Sequence, residues 1–399
     1  MSQDRDDGDR PQQRLRAGAG ALAGRRVLYL EPYDGGSHAV FGRLLMAGVQ
    51  ADWTALTLPG RHWKWHVRAF PAWLQREHAA TIAARPVDLV VASSYVNLAE
   101  VRGLLPALAE VPALLYFHEN QFAYPSADGG APDFHYGYSQ LLSALAAQAV
   151  VFNSHYNRDT FLAAARGLLR RMPSPRLSGL VAAVEARSAV LPPLFMVPAY
   201  GGDGAPVGEQ GPLILWNHRW EHDKGPEAFF AAMEALDAAG LPFRLAVCGG
   251  RYAAAPPVFA RAEARFASRL VHWGEIAGRD PYVALLQRAD VVVSTAKHEF
   301  FGVAVMEACA AGAYALVPDR LAYRELYPPA HRYGDAADLV TRLTALCRAY
   351  VAGDRLRARH EDVVAPYAME RLLPRYEASL AVVCAGPMGE KRVVESSGN

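Results

Sequence analysis

Short, continuously apolar runs alternate with amphipathic runs along most of the chain, and they do so in two separate series. In the first series, strand-like runs are separated by stretches with helical spacing, such as residues 39–49 and 138–148. Continuous apolar strands between helices are typical of a parallel sheet that helices cover on both faces. The strand-like runs cover residues 27–30, 88–91, 113–117 and 149–152.

The same alternation restarts after a stretch rich in proline and glycine, residues 192–212, which indicates an interdomain linker. Helical patterns at 336–352 and 372–383 complete the second series. We therefore predict an α/β fold of two facing, doubly wound, Rossmann-like domains, with a ligand cleft at the carboxyl ends of their strands. The second set of strands covers residues 213–216, 245–248, 270–273, 290–294 and 314–317.

The predicted boundaries divide the 399 residues into six parts. The first is polar and has no apolar core of the kind that a secretory signal needs, so we expect a disordered leader. The parts are the leader (1–24), an N-terminal Rossmann-like domain (25–197), a linker (198–212), a C-terminal Rossmann-like domain (213–365), a C-terminal helix (366–385) and a loose tail (386–399).

Composition narrows the class of protein. No run of about 18 consecutive apolar residues is present, so membrane insertion is not expected. The net charge of +1 excludes a global attraction to nucleic acid, and a polyanionic partner would need a local basic patch. The four cysteines lie far apart, which excludes a zinc knuckle and indicates free thiols in a reducing compartment, the cytoplasm. They are Cys248, Cys309, Cys347 and Cys384.

The sharpest polar segment, NHRWEHDKG (217–225), follows the predicted strand 213–216. A guanidinium and an ammonium five residues apart on a strand-to-helix loop can converge on one diphosphate, with Arg219 acting as a fork and Lys224 as a point charge. Taken alone, a solvated loop with two ordinary charges explains this segment equally well.

A second segment, KHEFFGVAVMEA (297–308), follows the predicted strand 290–294. Gly302 is predicted to open a helix whose free N–H groups suit a diphosphate. Eight helical residues span about 12 Å, so Glu299 could accept hydrogen bonds from a donor sugar while Glu307 accepts from a ribose. The alternative for Glu307 is an exposed carboxylate, although an unpaired glutamate among apolar neighbours would be costly.

The first half offers weaker signals. Gly36 lies in EPYDGGSH (31–38), a turn that resembles a phosphate-cradling loop and equally fits a plain tight turn. His118 follows the strand 113–117 beside Glu119, so we expect it to point into the same cleft, although a lone histidine is more often structural. Asn153 and Ser154 follow another strand with the same geometry.

The segment RHWKWHVR (61–68) interleaves cations with indoles. This pattern suits a stacked, phosphate-bearing partner, and a solvated basic loop with packed tryptophans is an equally fair interpretation. The candidate acceptor contacts are Arg61, Trp63, Lys64, Trp65 and Arg68.

Together these segments resemble a known family. The pair Arg219 and Lys224, and the seven residues between Glu299 and Glu307, resemble the signature of family 4 retaining glycosyltransferases with the GT-B fold. Within that group the chain closely resembles the tRNA-queuosine alpha-mannosyltransferase family, also described as the glycosyltransferase-like domain-containing protein 1 family. The matching segments are EPYDGGSH (31–38), LPGRHWKWHVR (58–68), YFHENQFAYP (116–125), DFHYGYSQ (133–140), VVFNS (150–154), HRWEHDK (218–224), LVHWG (270–274) and STAKHEFFGVA (294–304).

The resemblance implies a retaining enzyme that uses GDP-mannose as co-substrate, needs no cofactor or divalent metal, and modifies queuosine at the wobble position of a tRNA. The N-terminal domain would face the acceptor, and the C-terminal domain would bind the nucleotide-sugar. By motif match, Arg219 and Lys224 would bind the diphosphate, Glu299 the sugar and Glu307 the ribose, with His118 near the reacting carbon. The remaining candidates for donor binding are Asn217, Phe301, Gly302 and Gly36.

Other functions stay open at this point. The same donor site could serve a lipid or small-molecule acceptor. A nucleotide-sugar epimerase can share two facing Rossmann domains and needs no acceptor, and a non-catalytic nucleotide-binding module is a third alternative. The sequence predicts no oligomeric state, and the spacing alone selects neither the base nor the sugar of the donor.

Overall fold

The computed structural model describes residues 20–124, 134–177, 179–196, 198–200, 202, 210–250 and 255–386. Two six-stranded parallel sheets form its framework, as the two series of apolar runs predicted. The strands of the first sheet lie in the order β2-β1-β3-β4-β5-β6. They are β1 (Arg26–Asp34), β2 (Asp52–Pro59), β3 (Leu89–Ser93), β4 (Ala113–Phe117), β5 (Ala149–Phe152) and β6 (Ser188–Val190).

Helices connect these strands and cover both faces of the sheet. Successive residues of β1 point to opposite faces, so that Leu28 and Leu30 pack in one buried layer while Val27 and Tyr29 pack in the other. The helices of this half are α1 (Gly36–Gly48), α2 (Trp63–Ala84), α3 (Leu98–Leu104), α4 (Phe134–Ala146), α5 (His155–Arg171) and α6 (Gly179–Glu185).

The second sheet has the strand order β12-β11-β10-β7-β8-β9. Its strands are β7 (Leu213–Trp216), β8 (Arg244–Cys248), β9 (Leu270–Gly274), β10 (Val291–Val293), β11 (Tyr314–Pro318) and β12 (Arg332–Tyr333). The helices of this half are α7 (Pro226–Ala238), α8 (Val258–Arg265), α9 (Arg279–Leu286), α10 (Val303–Ala310), α11 (Tyr323–Leu326), α12 (Ala336–Val351), α13 (Glu361–Val364) and α14 (Met369–Cys384).

Short 3₁₀ segments complete the chain path, at Pro106–Leu108, His222–Lys224, Ala267–Arg269, Pro329–His331 and Ala365–Tyr367. Within the described ranges, no helix is both long and apolar enough to cross a bilayer. All four cysteines are free thiols, and three of them are buried, as expected.

The last helix returns to the first domain. Tyr376 of α14 lies edge-on to Phe41 at 5.6 Å between ring centroids, and its hydroxyl donates to the carbonyl of Pro192 at 2.7 Å. The C-terminal helix predicted at 366–385 therefore packs on the N-terminal sheet, where Leu372 and Leu380 join its buried layer.

The ends of the chain refine the predicted boundaries. A disordered leader as far as residue 24 is wrong for residues 20–24, because Leu22 is fully buried and the Gly20 amide donates to Glu377 Oε1 at 2.5 Å. Residues 1–19 of the leader and 387–399 of the tail lie outside the described residues. The same holds for positions 201 and 203–209 of the linker.

Candidate active site

Lys224 lies in the loop after β7 and is 7% exposed. Its ammonium donates to the His298 carbonyl at 2.9 Å and contacts Glu299 Oε2 at 3.3 Å and Asp223 Oδ2 at 3.1 Å. Burial alone would lower the pKa of Lys224, but the two carboxylates outweigh it and raise that pKa. The site therefore holds a buried, fixed positive charge, as a diphosphate clamp requires.

Gly225 makes this loop possible. It has a φ of +64°, and a Cβ at this position would lie 2.4 Å from the carbonyl oxygen of Thr295. Glycine tolerates both the left-handed backbone and the close approach. The loop after β7 therefore packs directly on the loop after β10, which brings Lys224 to Glu299.

Arg219 reaches across the cleft. Its Nη2 lies 3.4 Å from the hydroxyl of Tyr124, which belongs to the N-terminal domain, and 3.2 Å from Glu221 Oε2. Burial alone would lower the pKa of Arg219, but neighbouring acidic groups, with Tyr124 and Glu221 first among them, raise it. Arg219 thus places a permanent cation between the two domains.

Glu299 is held ionised. Burial would raise its pKa, but Lys224 and the histidines His218 and His298 lower it to about 2. Its Oε1 also accepts from the Phe300 amide at 3.2 Å. A carboxylate fixed in this way can accept hydrogen bonds from sugar hydroxyls at any physiological pH.

Gly302 caps α10, and the helix begins at Val303 as predicted within one residue. It has a φ of +84°, and a Cβ there would lie 3.0 Å from the Tyr323 ring. The N-terminus of α10 therefore opens beside Glu299 with its first amides free of helical hydrogen bonds. Such a terminus suits an anion.

Glu307, at the predicted ribose position, is buried and paired. Its Oε1 accepts from Arg279 Nη1 at 2.7 Å, and the hydroxyl of Tyr282 lies near it. Burial raises the pKa of Glu307 and Arg279 opposes that rise. The interpretation as an exposed helix carboxylate is thus wrong, and a ribose would meet a carboxylate that Arg279 already orients.

Two further donor-site candidates have packing roles. The side-chain amide of Asn217 donates to Tyr282 Oη at 3.1 Å and to the Ala304 carbonyl at 2.7 Å, which ties the β7 loop to α10. The Phe301 ring is buried in the core against Phe195 and Tyr367. The Phe301 ring therefore contributes to the core, and a contact between Phe301 and the donor stays a prediction.

Several buried polar atoms near the clamp lack hydrogen-bond partners among the described residues. Unsatisfied buried groups are costly and rare, so a cluster of them indicates a site that a ligand completes. Burial lowers the pKa of both His218 and His298 to about 4, which keeps each ring neutral. The buried atoms without hydrogen-bond partners are Nε2 of His118, His218 and His298 and Oδ1 of Asn217.

His118 follows β4, is half-buried, and stacks on His38 with 4.0 Å between ring centroids. His38 Nδ1 is hydrogen bonded to Glu31 Oε2 at 3.0 Å. Burial would lower the pKa of His38, but Glu31 outweighs it and raises that pKa, whereas burial and then His38 lower the pKa of His118. His38, anchored by Glu31, thus supports the His118 ring, whose neutral form burial and His38 both favour.

Glu31, His38 and His118 also form a group whose ligand atoms all lie within 4.8 Å of one another, as a metal site requires. The donor set is chemically suitable for zinc. However, the two imidazoles stack at 28° and His38 already bonds to Glu31. We therefore interpret the trio as a hydrogen-bonded support for His118.

Gly36 lies in the turn between β1 and α1, with a φ of +54° and open space where its Cβ would be. The neighbouring Gly35 packs against Gly60, since a Cβ on Gly35 would lie 2.8 Å from Gly60 Cα. This contact joins the first turn to the segment that carries Trp63. Gly36 itself faces open space, and its contact with the donor stays a prediction.

The basic segment 61–68 divides at the start of α2. Trp63 is half-buried and stacks on Tyr95 at 5.8 Å, while the Arg68 guanidinium lies 4.6 Å from the Tyr136 ring centroid. Trp65 is 69% exposed. Arg61 and Lys64 are exposed as well. The segment is thus mainly the first turns of a helix rather than a loop, while its exposed cations and the packing of Trp63 agree with the alternative of a solvated basic segment.

Asn153 and Ser154 have structural roles. Asn153 Nδ2 donates to the His118 carbonyl at 2.7 Å, and Ser154 Oγ caps α5 by accepting from the Asn157 amide at 3.0 Å. Asn153 therefore helps to hold the strand end that carries His118.

Sequence reasoning assigned no role to Tyr124, His38, Glu31 or Arg279. The first three lie inside segments that carried the family resemblance. The sequence therefore marked these segments, but it did not indicate the side-chain contacts that the three residues make. Arg279 follows a Gly278 with a φ of +93°, just after LVHWG, and nothing in its spacing links it to Glu307.

Two protein-family models match the chain. The model for the N-terminal domain of tRNA-queuosine alpha-mannosyltransferase covers residues 26–194, and the model for glycosyl transferases group 1 covers residues 205–331. The tRNA-queuosine alpha-mannosyltransferase of Drosophila melanogaster is 33% identical over 335 residues, which is 81% of this chain and 87% of that protein.

Solved glycosyltransferases share the fold. Anabaena Alr3699/HepE in complex with UDP-glucose superposes with a TM-score of 0.63 at 12% identity, covering 90% of this chain and 99% of that one. The UDP-forming trehalose-phosphate synthase of Burkholderia xenovorans gives 0.61 at 14% identity, covering 91% and 99%. These likenesses establish the GT-B fold. Together with the family matches, they show that this chain is a glycosyltransferase that belongs to the tRNA-queuosine alpha-mannosyltransferase family.

Proposed function

We propose that the protein transfers mannose from GDP-mannose to queuosine in the anticodon of a tRNA, with retention at the anomeric carbon, in the cytoplasm. The observation that carries the proposal is the contact between Arg219 and Tyr124. It brings the cation of the donor domain to the segment that follows His118. The name of the Drosophila relative supports the sugar and the acceptor.

The charges in the cleft suit departure of a diphosphate. When the bond between the anomeric carbon and the phosphate oxygen breaks, negative charge builds on the diphosphate. Arg219, Lys224 and the N-terminus of α10 would stabilise that charge by fixed electrostatics. The acceptor hydroxyl forms the new bond on the same face, and its proton passes to the leaving phosphate oxygen.

A covalent carboxylate intermediate, of the kind that retaining hydrolases form, is less well supported. Glu31 Oε2 is bonded to His38, and its Oε1 accepts from the Tyr33 amide at 2.9 Å. Glu119 Oε1 accepts from Gln121 Nε2 at 2.6 Å and from the Tyr95 hydroxyl. Both carboxylates beside His118 are thus held in hydrogen bonds, which favours front-side attack.

The proposal is tested by following GDP release from GDP-mannose with three acceptors: tRNA carrying queuosine, the same tRNA with guanosine at that position, and no tRNA. Release should require queuosine and should disappear in Lys224→Ala. Equal release with all three would overturn the acceptor, and turnover with a small-molecule or lipid acceptor alone would favour the rival transferase. Conversion of the donor to an epimer without acceptor would identify an epimerase.

A further inference from the structure

A cavity of about 150 Å³ opens on the N-terminal domain. Three of the segments that carry the family resemblance meet there, although they are far apart in the sequence. The segment 58–68 supplies Trp63 and Arg68, the segment 116–125 supplies Gln121, and the segment 133–140 supplies Tyr136 and Gln140. Their convergence indicates a built site rather than a packing gap.

The walls of this cavity offer flat surfaces. Trp63 and Tyr95 lie nearly parallel, at 15°, and the Arg68 guanidinium lies over the Tyr136 ring. Unpaired bases bind proteins by stacking on aromatic rings and guanidinium planes, and the bases of an anticodon loop are single-stranded. The cavity therefore suits a planar base.

One carboxylate at this cavity, that of Glu100, is not used in any polar contact among the described residues. Glu100 lines it and is exposed, and its carboxylate makes no hydrogen bond or ion pair within the part of the chain that the structure describes. The neighbouring Gln140 is occupied, since it accepts from the Gln121 amide at 2.8 Å and donates to the Ser94 carbonyl at 3.2 Å. Glu100 is thus available to accept from a base.

The cavity leads toward His118. Its wall residue Tyr95 stacks on His38 at 5.2 Å, and His38 stacks on His118 at 4.0 Å. Tyr95 and Gln121 both donate to Glu119, which follows His118 in the chain. A base in the cavity would therefore be separated from His118 by the rings of Tyr95 and His38. A hydroxyl on a substituent of that base could then reach the cleft.

We propose that this cavity is the slot for the acceptor nucleobase, a guanine-type ring extruded from the anticodon loop. The inference rests on the proposed function. Glu100 accepts the two N–H donors of the Watson–Crick edge that a guanine-type base presents, and Trp63 stacks on the ring. The outward residues of the basic segment, Arg61, Lys64 and Trp65, contact the surrounding RNA backbone.

The test measures equilibrium binding of queuosine-bearing tRNA to the wild-type chain and to Glu100→Gln, Trp63→Leu and Glu77→Gln. Glu77 lies on α2 about 20 Å along the helix from Trp63 and is the matched control. Removing a negative charge should strengthen non-specific tRNA binding, whereas loss of the base contact should weaken it about tenfold. Binding of GDP to each variant reports on the fold of the donor domain.

The expected result is weaker tRNA binding by Glu100→Gln and Trp63→Leu, slightly stronger tRNA binding by Glu77→Gln, and unchanged GDP binding by all three variants. Binding by both slot variants at wild-type strength would overturn the slot, as would a wild-type chain that does not bind the tRNA. The expected binding pattern without mannose transfer would refute the proposed function but support the slot.

Discussion

The ion pair between Lys224 and Glu299 permits a quantitative prediction. The pKa of Glu299 is about 2, compared with an ordinary value of 4.5. A shift of one pKa unit corresponds to about 1.4 kcal/mol, so the ionised form of Glu299 is favoured by about 3 kcal/mol in the folded protein at pH 7. Most of this energy should appear as coupling between the two residues.

A double-mutant cycle measures that coupling. Lys224→Ala leaves Glu299 and Asp223 buried without their cation and should cost about 3–5 kcal/mol of stability. Glu299→Gln in the same chain should recover about 3 kcal/mol of that loss. The free energy of unfolding of each variant is measured by urea denaturation at pH 7, with tryptophan fluorescence as the signal.

The exposed pair of Arg166 and Glu185 is the matched control, because both side chains are more than 40% exposed. Such a pair should couple by no more than about 1 kcal/mol. A Lys224–Glu299 coupling as small as that of the control would refute the reasoning. Because the folded pKa of Glu299 is depressed, its contribution is complete above pH 4.5 and should be lost as the pH falls toward 2.

Three further predictions concern the donor site. Arg279→Met removes the partner of Glu307, so donor affinity should fall. The fall should be larger at pH 6 than at pH 8, because Glu307 without Arg279 is more easily protonated. Donor titrations at both pH values measure this, and a loss of affinity that is independent of pH would contradict it. Gly302→Ala should destabilise the chain by about 1–2 kcal/mol in thermal melts, because alanine is strained at a φ of +84°; an unchanged melting temperature would count against this. Transfer should persist after EDTA treatment, and loss that zinc or magnesium restores would instead favour a metal at Glu31, His38 and His118.

The donor clamp could be predicted because it depends on position relative to strands. Arg219, Lys224 and Glu299 each follow a buried parallel strand, and the carboxyl ends of such strands meet at one edge. The sequence pattern locates those strands within about one residue of the structure. Edge strands such as β2 were not among the runs identified, because β2 is half-exposed and lacks a continuous apolar run.

Contacts between distant segments could not be predicted. The cavity at Trp63 depends on how α2, α3 and α4 pack, and nothing in the sequence near Glu100 marks that residue as part of it. The burial of the Phe301 ring could not be predicted for a similar reason, since a phenylalanine beside a glycine turn gives no sign of which way its ring points. Likewise, the burial of Leu22 could not be predicted from the polar sequence around it, because its packing partners lie in α14, more than 340 residues further along the chain.

The central claim is tested most directly by the mass of one nucleoside. The chain is incubated with GDP-mannose and queuosine-bearing tRNA, the tRNA is digested, and its nucleosides are analysed by mass spectrometry. We expect queuosine to gain the mass of one hexose, and Lys224→Ala to give unmodified queuosine. Unmodified queuosine with the wild-type chain, or a hexose on a different nucleoside, would contradict the account.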